Sequence, residues 1–301
     1  MPCVRCECGD GRSAEAVHVP PVLRSRPMRD GLKAVLRRIM PHSIYRRYRR
    51  RKIASIIAGY TPRDVTHSYG GHRLRIRLED PLAEAWYDRD WQEPEMITFL
   101  RERNALGAGS TVFDLGAHQA VLALIIARAT GETGRVLAIE AEPHNARVAT
   151  ANCELNNAGN VSVIHAAAAA TEGFTTFAEG LTGQVDERTA SGNVTVAAVS
   201  IDGLAERYGT PDVVFIDVEG YEEQALKGAS RTLANGSTSF LVEVHDAETL
   251  GTFEATSEAV VAYFQDFDKY LAVEDDDPFL EMNGSPPSGR FFLAAIPAKA
   301  R

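Results

Sequence analysis

The chain has 301 residues, 45% of them hydrophobic, enough to bury a sizeable core in one large or two modest domains. Its net charge of −9 argues against general nucleic-acid binding, because a polyanion is attracted by surplus Lys and Arg. No apolar run approaches the roughly eighteen residues of a membrane span and the first residues lack the apolar core of a secretory signal, so the expected compartment is the cytoplasm.

Residues 1–28 contain PPVLRSRP and no sustained periodicity, which predicts a disordered leader. Cys3, Cys6 and Cys8 with His18 raise a zinc reading, but their polar, Gly-rich setting favours a tail. Residues 29–52 are strongly basic, and apolar spacing from Asp30 to Gly59 predicts two helices separated by Pro41. Their arginines form a solvated face or a peripheral contact with a membrane or an acidic partner. HSYGGHRLRIRL, from His67 to Leu78, predicts a β-hairpin, so residues 29–95 read as a helical and hairpin cap. In WYDRDWQEPE, the aromatic residues Trp86, Tyr87 and Trp91 either cover a ligand or seal the cap against the next domain.

From Thr111 onward strands and helices alternate. TVFDLG precedes a helix expected from Ala117 to Thr130, and RVLAIEAE one from Pro143 to Asn156. VSVIHAA leads into a polar excursion, PDVVFIDV into a helix from Gly220 to Leu233, and SFLVEVH into a loop and helix. KYLAV and RFFLAAI suggest an antiparallel edge. This pattern predicts an α/β domain over 96–301, doubly wound around a mostly parallel sheet.

Ligands in such sheets bind beyond the carboxyl ends of the strands, where strand order reverses. Asp114 ends the first strand, and Gly116 and Ala117 let the backbone approach a ligand while the next helix begins. Glu140 ends the second strand, 26 residues later, where an acid can accept from both hydroxyls of a ribose or else cap the helix at Pro143. With one glycine in the turn, a pyrophosphate fits badly, which disfavours a nicotinamide-dependent oxidoreductase.

VFDLGAHQAVLAL, VLAIEAEP, NVSVIHAAAA, VSIDGL, PDVVFIDVEGYEEQALKGA and SFLVEVH, in this order and spacing, resemble the FkbM-type S-adenosylmethionine-dependent methyltransferases. The resemblance runs from about Trp91 to Ala295 and implies a Rossmann-like class I methyltransferase sheet with S-adenosylmethionine as cofactor. It implies that Asp114 and Gly116 line the methionine end of the cofactor, with Ala117 and His118 in the same turn, and that Glu140 holds the ribose. It also draws Glu95 towards the site. The family usually has Asn and Gly where this chain has His118 and Ala120, so the turn is tightened and an inactive descendant stays open.

Methyl transfer to a hydroxyl needs the acceptor held in line and a route for its proton. Strand alternation places Asp217 and Glu219 on one face, and Glu243 and His245 likewise. His245 is the favoured direct base; alternatively Asp217 with Glu243 or His245 holds a divalent metal. The resemblance implies O-methylation of a small-molecule or glycan hydroxyl, on a sugar, glycan or secondary metabolite. A non-catalytic module that keeps the fold is the remaining alternative.

Overall fold

The computed structural model describes residues 42–178, 184–185 and 194–298. The leader, the cysteine cluster and the basic stretch up to Pro41 lie outside the described residues. His42–Gly59 forms one helix, and among the described residues no helix is long and apolar enough to cross a membrane.

The hairpin pairs β1 (Arg63–Tyr69) with β2 (His72–Leu78), turning at Gly70 and Gly71, both at positive φ. Leu74, Ile76 and Leu78 alternate with polar residues and are buried against the following domain. Asn152 and Asn156 complete the junction, their side-chain oxygens accepting from the Arg77 and Arg75 N–H groups. Asp80 starts the helix Pro81–Tyr87 by accepting from the Leu82 and Ala83 N–H groups, with proline in the first helical turn.

The main domain contains β3 (Thr111–Leu115), β4 (Arg135–Glu140), β5 (Val161–His165), β6 (Ala167–Ala168), β7 (Gly173–Ala178), β8 (Gln184–Val185), β9 (Val194–Val199), β10 (Val213–Ile216), β11 (Ser239–Val244), β12 (Phe267–Ala272), β13 (Leu280–Glu281) and β14 (Phe291–Pro297). Eight of them form the central sheet in the order β13-β12-β14-β11-β10-β3-β4-β5. The pairs from β11 through β10, β3 and β4 to β5 are parallel. The chain runs from β3 outward to β4 and β5, then crosses back to β10 and β11 on the other side. Strand order therefore reverses between β3 and β10, and a doubly wound sheet opens its crevice there.

Alternate residues of the strands feed two cores. Val112, Val136, Val213 and Leu241 pack with the helices Glu95–Glu102 and Val121–Thr130, while Phe113, Leu137, Val214 and Phe240 pack with Ile201–Tyr208 and Ser257–Ala262. Burial on both faces explains why these strands read as continuous apolar runs.

The antiparallel C-terminal edge holds, since β12 (KYLAV) and β14 (RFFLAAI) pair antiparallel at one end of the sheet, with β14 next to β11 and the short β13 outermost. Two expectations change. The polar excursion after β5 folds into a small sheet of order β6-β9-β7-β8, whose pairing is non-local and leaves no periodic signature. The helix expected from Gly220 to Leu233 is two, Glu222–Lys227 and Ser230–Asn235. Gly228 lies in the break, where a Cβ would stand 2.3 Å from the Ala169 carbonyl oxygen.

Candidate active site

The turn after β3 is tighter than a helix start. The helix begins at Val121 and not at Ala117, because Gly116, His118 and Ala120 all take positive φ, at 90°, 48° and 63°. The Gly116 and Ala117 N–H groups both donate to the Ile139 carbonyl, at 2.9 and 3.0 Å, which ties the turn to β4. Glu140 closes the same junction. Its Oε2 accepts the His118 N–H at 2.8 Å and its Oε1 the Glu142 N–H at 2.7 Å. Glu142, and not Glu140, caps the helix at Pro143, accepting from the Asn145 N–H.

Asp114 and Glu140 are both almost fully buried, and Asp114 Oδ2 has no hydrogen-bond partner. Burial pushes the Asp114 carboxyl up to about 7. Burial also pushes Glu140 up, to about 8, against the lowering effect of its two backbone donors. A buried carboxylate oxygen without a donor next to a glycine turn is what a hydroxyl- or ammonium-bearing ligand would satisfy.

The aromatic stretch serves both roles weighed for it. Tyr87 packs on Trp91, which packs on Tyr69 of the hairpin, so the group seals the cap. The Tyr87 hydroxyl also lies 2.7 Å from His118 Nδ1, and the Trp86 ring stands 5.1 Å from the His118 ring, so the seal reaches the turn. The Tyr87 phenol is held well above its ordinary range by burial and then by Asp80, Glu140, Asp217 and Asp114, which places it amid the acids of three strand ends.

Across the crevice, β10 ends at Ile216, so Asp217 and Glu219 are turn residues and strand alternation does not bring them together. They converge because the turn bends back, with Glu219 at φ 54° and Gly220 at φ 98°. His245, just past β11, is the hub. Its Nδ1 lies 2.7 Å from Glu222 Oε1, and its Nε2 lies 3.5 Å from Glu219 Oε2 and 3.9 Å from Glu243 Oε1. Arg290 donates to Glu243 Oε1 at 2.8 Å. Donor atoms of Asp217, Glu243 and His245 all lie within 4.8 Å of one another.

The charge state of this group follows from its crowding. Asp217 is open to solvent yet walled by protein, and desolvation, then the Glu243 charge, hold its carboxyl well above the ordinary range. Desolvation also raises Glu243, against Arg290. Burial alone would lower His245, but hydrogen bonds with Glu219 and Glu222 outweigh it and push the imidazole up to about 11. Carboxylates therefore face both ring nitrogens of His245, Glu222 at Nδ1 and Glu219 at Nε2.

Glu95 heads the helix Glu95–Glu102, and among the described residues no hydrogen bond or ion pair joins it to either group. Sequence reasoning missed four participants. Glu222 and Arg290 gave no signal, because one is helical and the other follows a loop far along the chain. Asp80 and Gln119 are joined by a buried 2.7 Å hydrogen bond beneath the turn; Asp-Pro marks Asp80 as a helix cap, while its bond to Gln119 is purely tertiary.

The family model described as methyltransferase FkbM domain matches residues 114–277. Comparison with curated protein sequences finds no match. Similar solved structures include precorrin-6y C5,15-methyltransferase from Geobacter metallireducens GS-15, 17% identical over 68% of this chain and 87% of that chain, with a TM-score of 0.41. Methyltransferase FkbM from Methylobacillus flagellatus KT is 17% identical over 62% of this chain and 43% of that chain, TM-score 0.42. A SAM-dependent O-methyltransferase from Thermotoga maritima is 12% identical over 79% of each chain, TM-score 0.38.

Proposed function

Starting from a chain that belongs to the FkbM methyltransferase family, we propose that it transfers a methyl group from S-adenosylmethionine to a hydroxyl of a sugar, glycan or secondary metabolite. The observation that carries this reading is the contact between the two halves of the crevice. The turn at Gly116 touches the backbone of Asp217, so a ligand in the turn lies beside the acid and histidine cluster.

The residues fit the cofactor. Glu140 keeps lone pairs for the ribose hydroxyls beyond its two backbone donors, and Asp114 offers an oxygen without a partner. S-adenosylmethionine, when bound, supplies a methyl group on a sulfonium. The chain's part is to hold the acceptor oxygen in line with the departing sulfur, and buried Tyr87 closes the cap side against water. Asp217, Glu243 and His245 stand where the hydroxyl proton leaves, and the surplus of carboxylates there favours its departure.

Calorimetry with S-adenosylmethionine and with NAD tests the cofactor, and release of S-adenosylhomocysteine over a panel of hydroxylated sugars, glycans and metabolites tests the acceptor. Binding of NAD in place of S-adenosylmethionine overturns the reading. Cofactor binding without turnover on any hydroxyl, but with turnover on amines, overturns the O-methyl assignment alone.

A further inference from the structure

Asp217 and Glu243 come from neighbouring strand ends with His245 two residues beyond Glu243, and their donor atoms lie mutually within 4.8 Å. Two carboxylates and an imidazole at that separation form a mixed oxygen and nitrogen donor set suited to a first-row or alkaline-earth dication. Two further observations separate this group from a plain acidic cluster.

The first is Glu222. It is fully buried, its Oε1 takes both His245 Nδ1 at 2.7 Å and the Gly220 N–H at 2.9 Å, and its Oε2 has no hydrogen-bond partner. A carboxylate on one ring nitrogen leaves Nε2 facing Glu219 and Glu243, which is how imidazole ligands are oriented behind a metal. The second is charge. Asp217, Glu219, Glu222 and Glu243 gather around His245, and among the described residues Arg290 is the one guanidinium bonded to the group, itself shared with Glu274 and Asp275. A dication answers that surplus, and the solvent-open Asp217 provides its entry.

We propose that Asp217, Glu243 and Nε2 of His245 bind one divalent cation, with Glu222 as the positioning residue that holds the imidazole from behind. The site deepens the methyltransferase reading and rests on it only for the cation's use, which is to lower the pKa of an acceptor hydroxyl. Binding of the cation does not depend on that use.

The test uses the full chain stripped with chelator. Mn2+ is titrated and its free signal followed by electron paramagnetic resonance, with Mg2+ followed by calorimetry; both ions prefer oxygen donors, so the thiols of Cys3, Cys6 and Cys8 do not confound the count. One Mn2+ per chain is expected. Asp217→Asn and Glu243→Gln should each weaken it at least tenfold. Glu222→Gln, which replaces no ligand, should weaken it by about 10–100-fold. Circular dichroism melts confirm that each variant is folded. A folded wild type that binds neither ion at millimolar concentration overturns the site, as does Mn2+ binding that Asp217→Asn leaves unchanged. S-adenosylmethionine affinity, measured separately, reports on the methyltransferase reading and not on this one.

Discussion

A Cβ placed on Gly116 would stand 1.7 Å from the carbonyl oxygen of Asp217, so the turn after β3 and the turn after β10 are in backbone contact. No side chain fits between them, and the positive φ of 90° would strain any residue with a Cβ. Gly116→Ala must therefore push the two strand ends apart. A loss of at least about 2 kcal/mol is expected in denaturant unfolding, with S-adenosylmethionine binding abolished in whatever remains folded. A variant with wild-type stability would show that the contact is slack.

Ala120 makes the opposite case. It holds φ 63° as the residue before the helix, and its methyl is fully buried. Alanine in that region costs about 1–2 kcal/mol, which glycine relieves. Against that gain, glycine forfeits the buried methyl, about 0.8 kcal/mol, and loosens the unfolded chain. Helix propensity does not enter, since the helix starts at Val121. Ala120→Gly should shift stability by no more than about 1 kcal/mol and keep cofactor affinity; calorimetry showing a hundredfold loss would mean the methyl itself contacts the ligand.

Glu140 and Asp114 set a pH dependence. In the unfolded chain both carboxyls lose their protons near pH 4, whereas in the folded protein burial holds them to about 8 and about 7. Between those limits the folded state binds more protons, so stability falls as pH rises from about 4 to 8, by several kcal/mol in all. Thermal melts of the ligand-free protein should show that slope, and Glu140→Gln should flatten its upper part. Glu140→Ala should weaken S-adenosylmethionine at least tenfold, the loss of one hydrogen bond to a charged group being about 1.5–3 kcal/mol. A melting temperature that rises from pH 5 to 8 would reverse the sign and refute the burial argument.

His245 and Glu222 form a pair whose members are costly apart. Removing the imidazole leaves a fully buried carboxylate with only the Gly220 N–H. His245→Ala should then destabilise by about 3–5 kcal/mol, and adding Glu222→Gln should recover part of it. A double-mutant cycle with no coupling would show that the 2.7 Å contact contributes nothing.

Tyr87→Phe removes one hydroxyl from a buried contact with His118 Nδ1. The expected effect is about 1 kcal/mol in stability and a several-fold rise in the cofactor dissociation constant, since His118 also donates its N–H to Glu140. Unchanged affinity in a folded variant would reduce Tyr87 to a seal.

The strands of the central sheet were legible because burial on both faces demands continuous apolar runs, and the acids that end them, Asp114, Glu140, Asp217 and Glu243, stand out against those runs. The same logic marked Gly116 as a place without bulk, while its reason, the backbone contact with Asp217, is tertiary. What one chain's order of residues could not carry is who meets whom across the crevice. Glu222 reaches His245 across 23 residues and Arg290 reaches Glu243 across 47, and neither separation leaves a periodic trace. The upward pull on His245's pKa arises there too, because it comes from the charges packed around the ring and not from its neighbours in sequence. Sequence determined the scaffold and the strand-end acids; only folding, by gathering four carboxylates around one imidazole, decided what those acids can do.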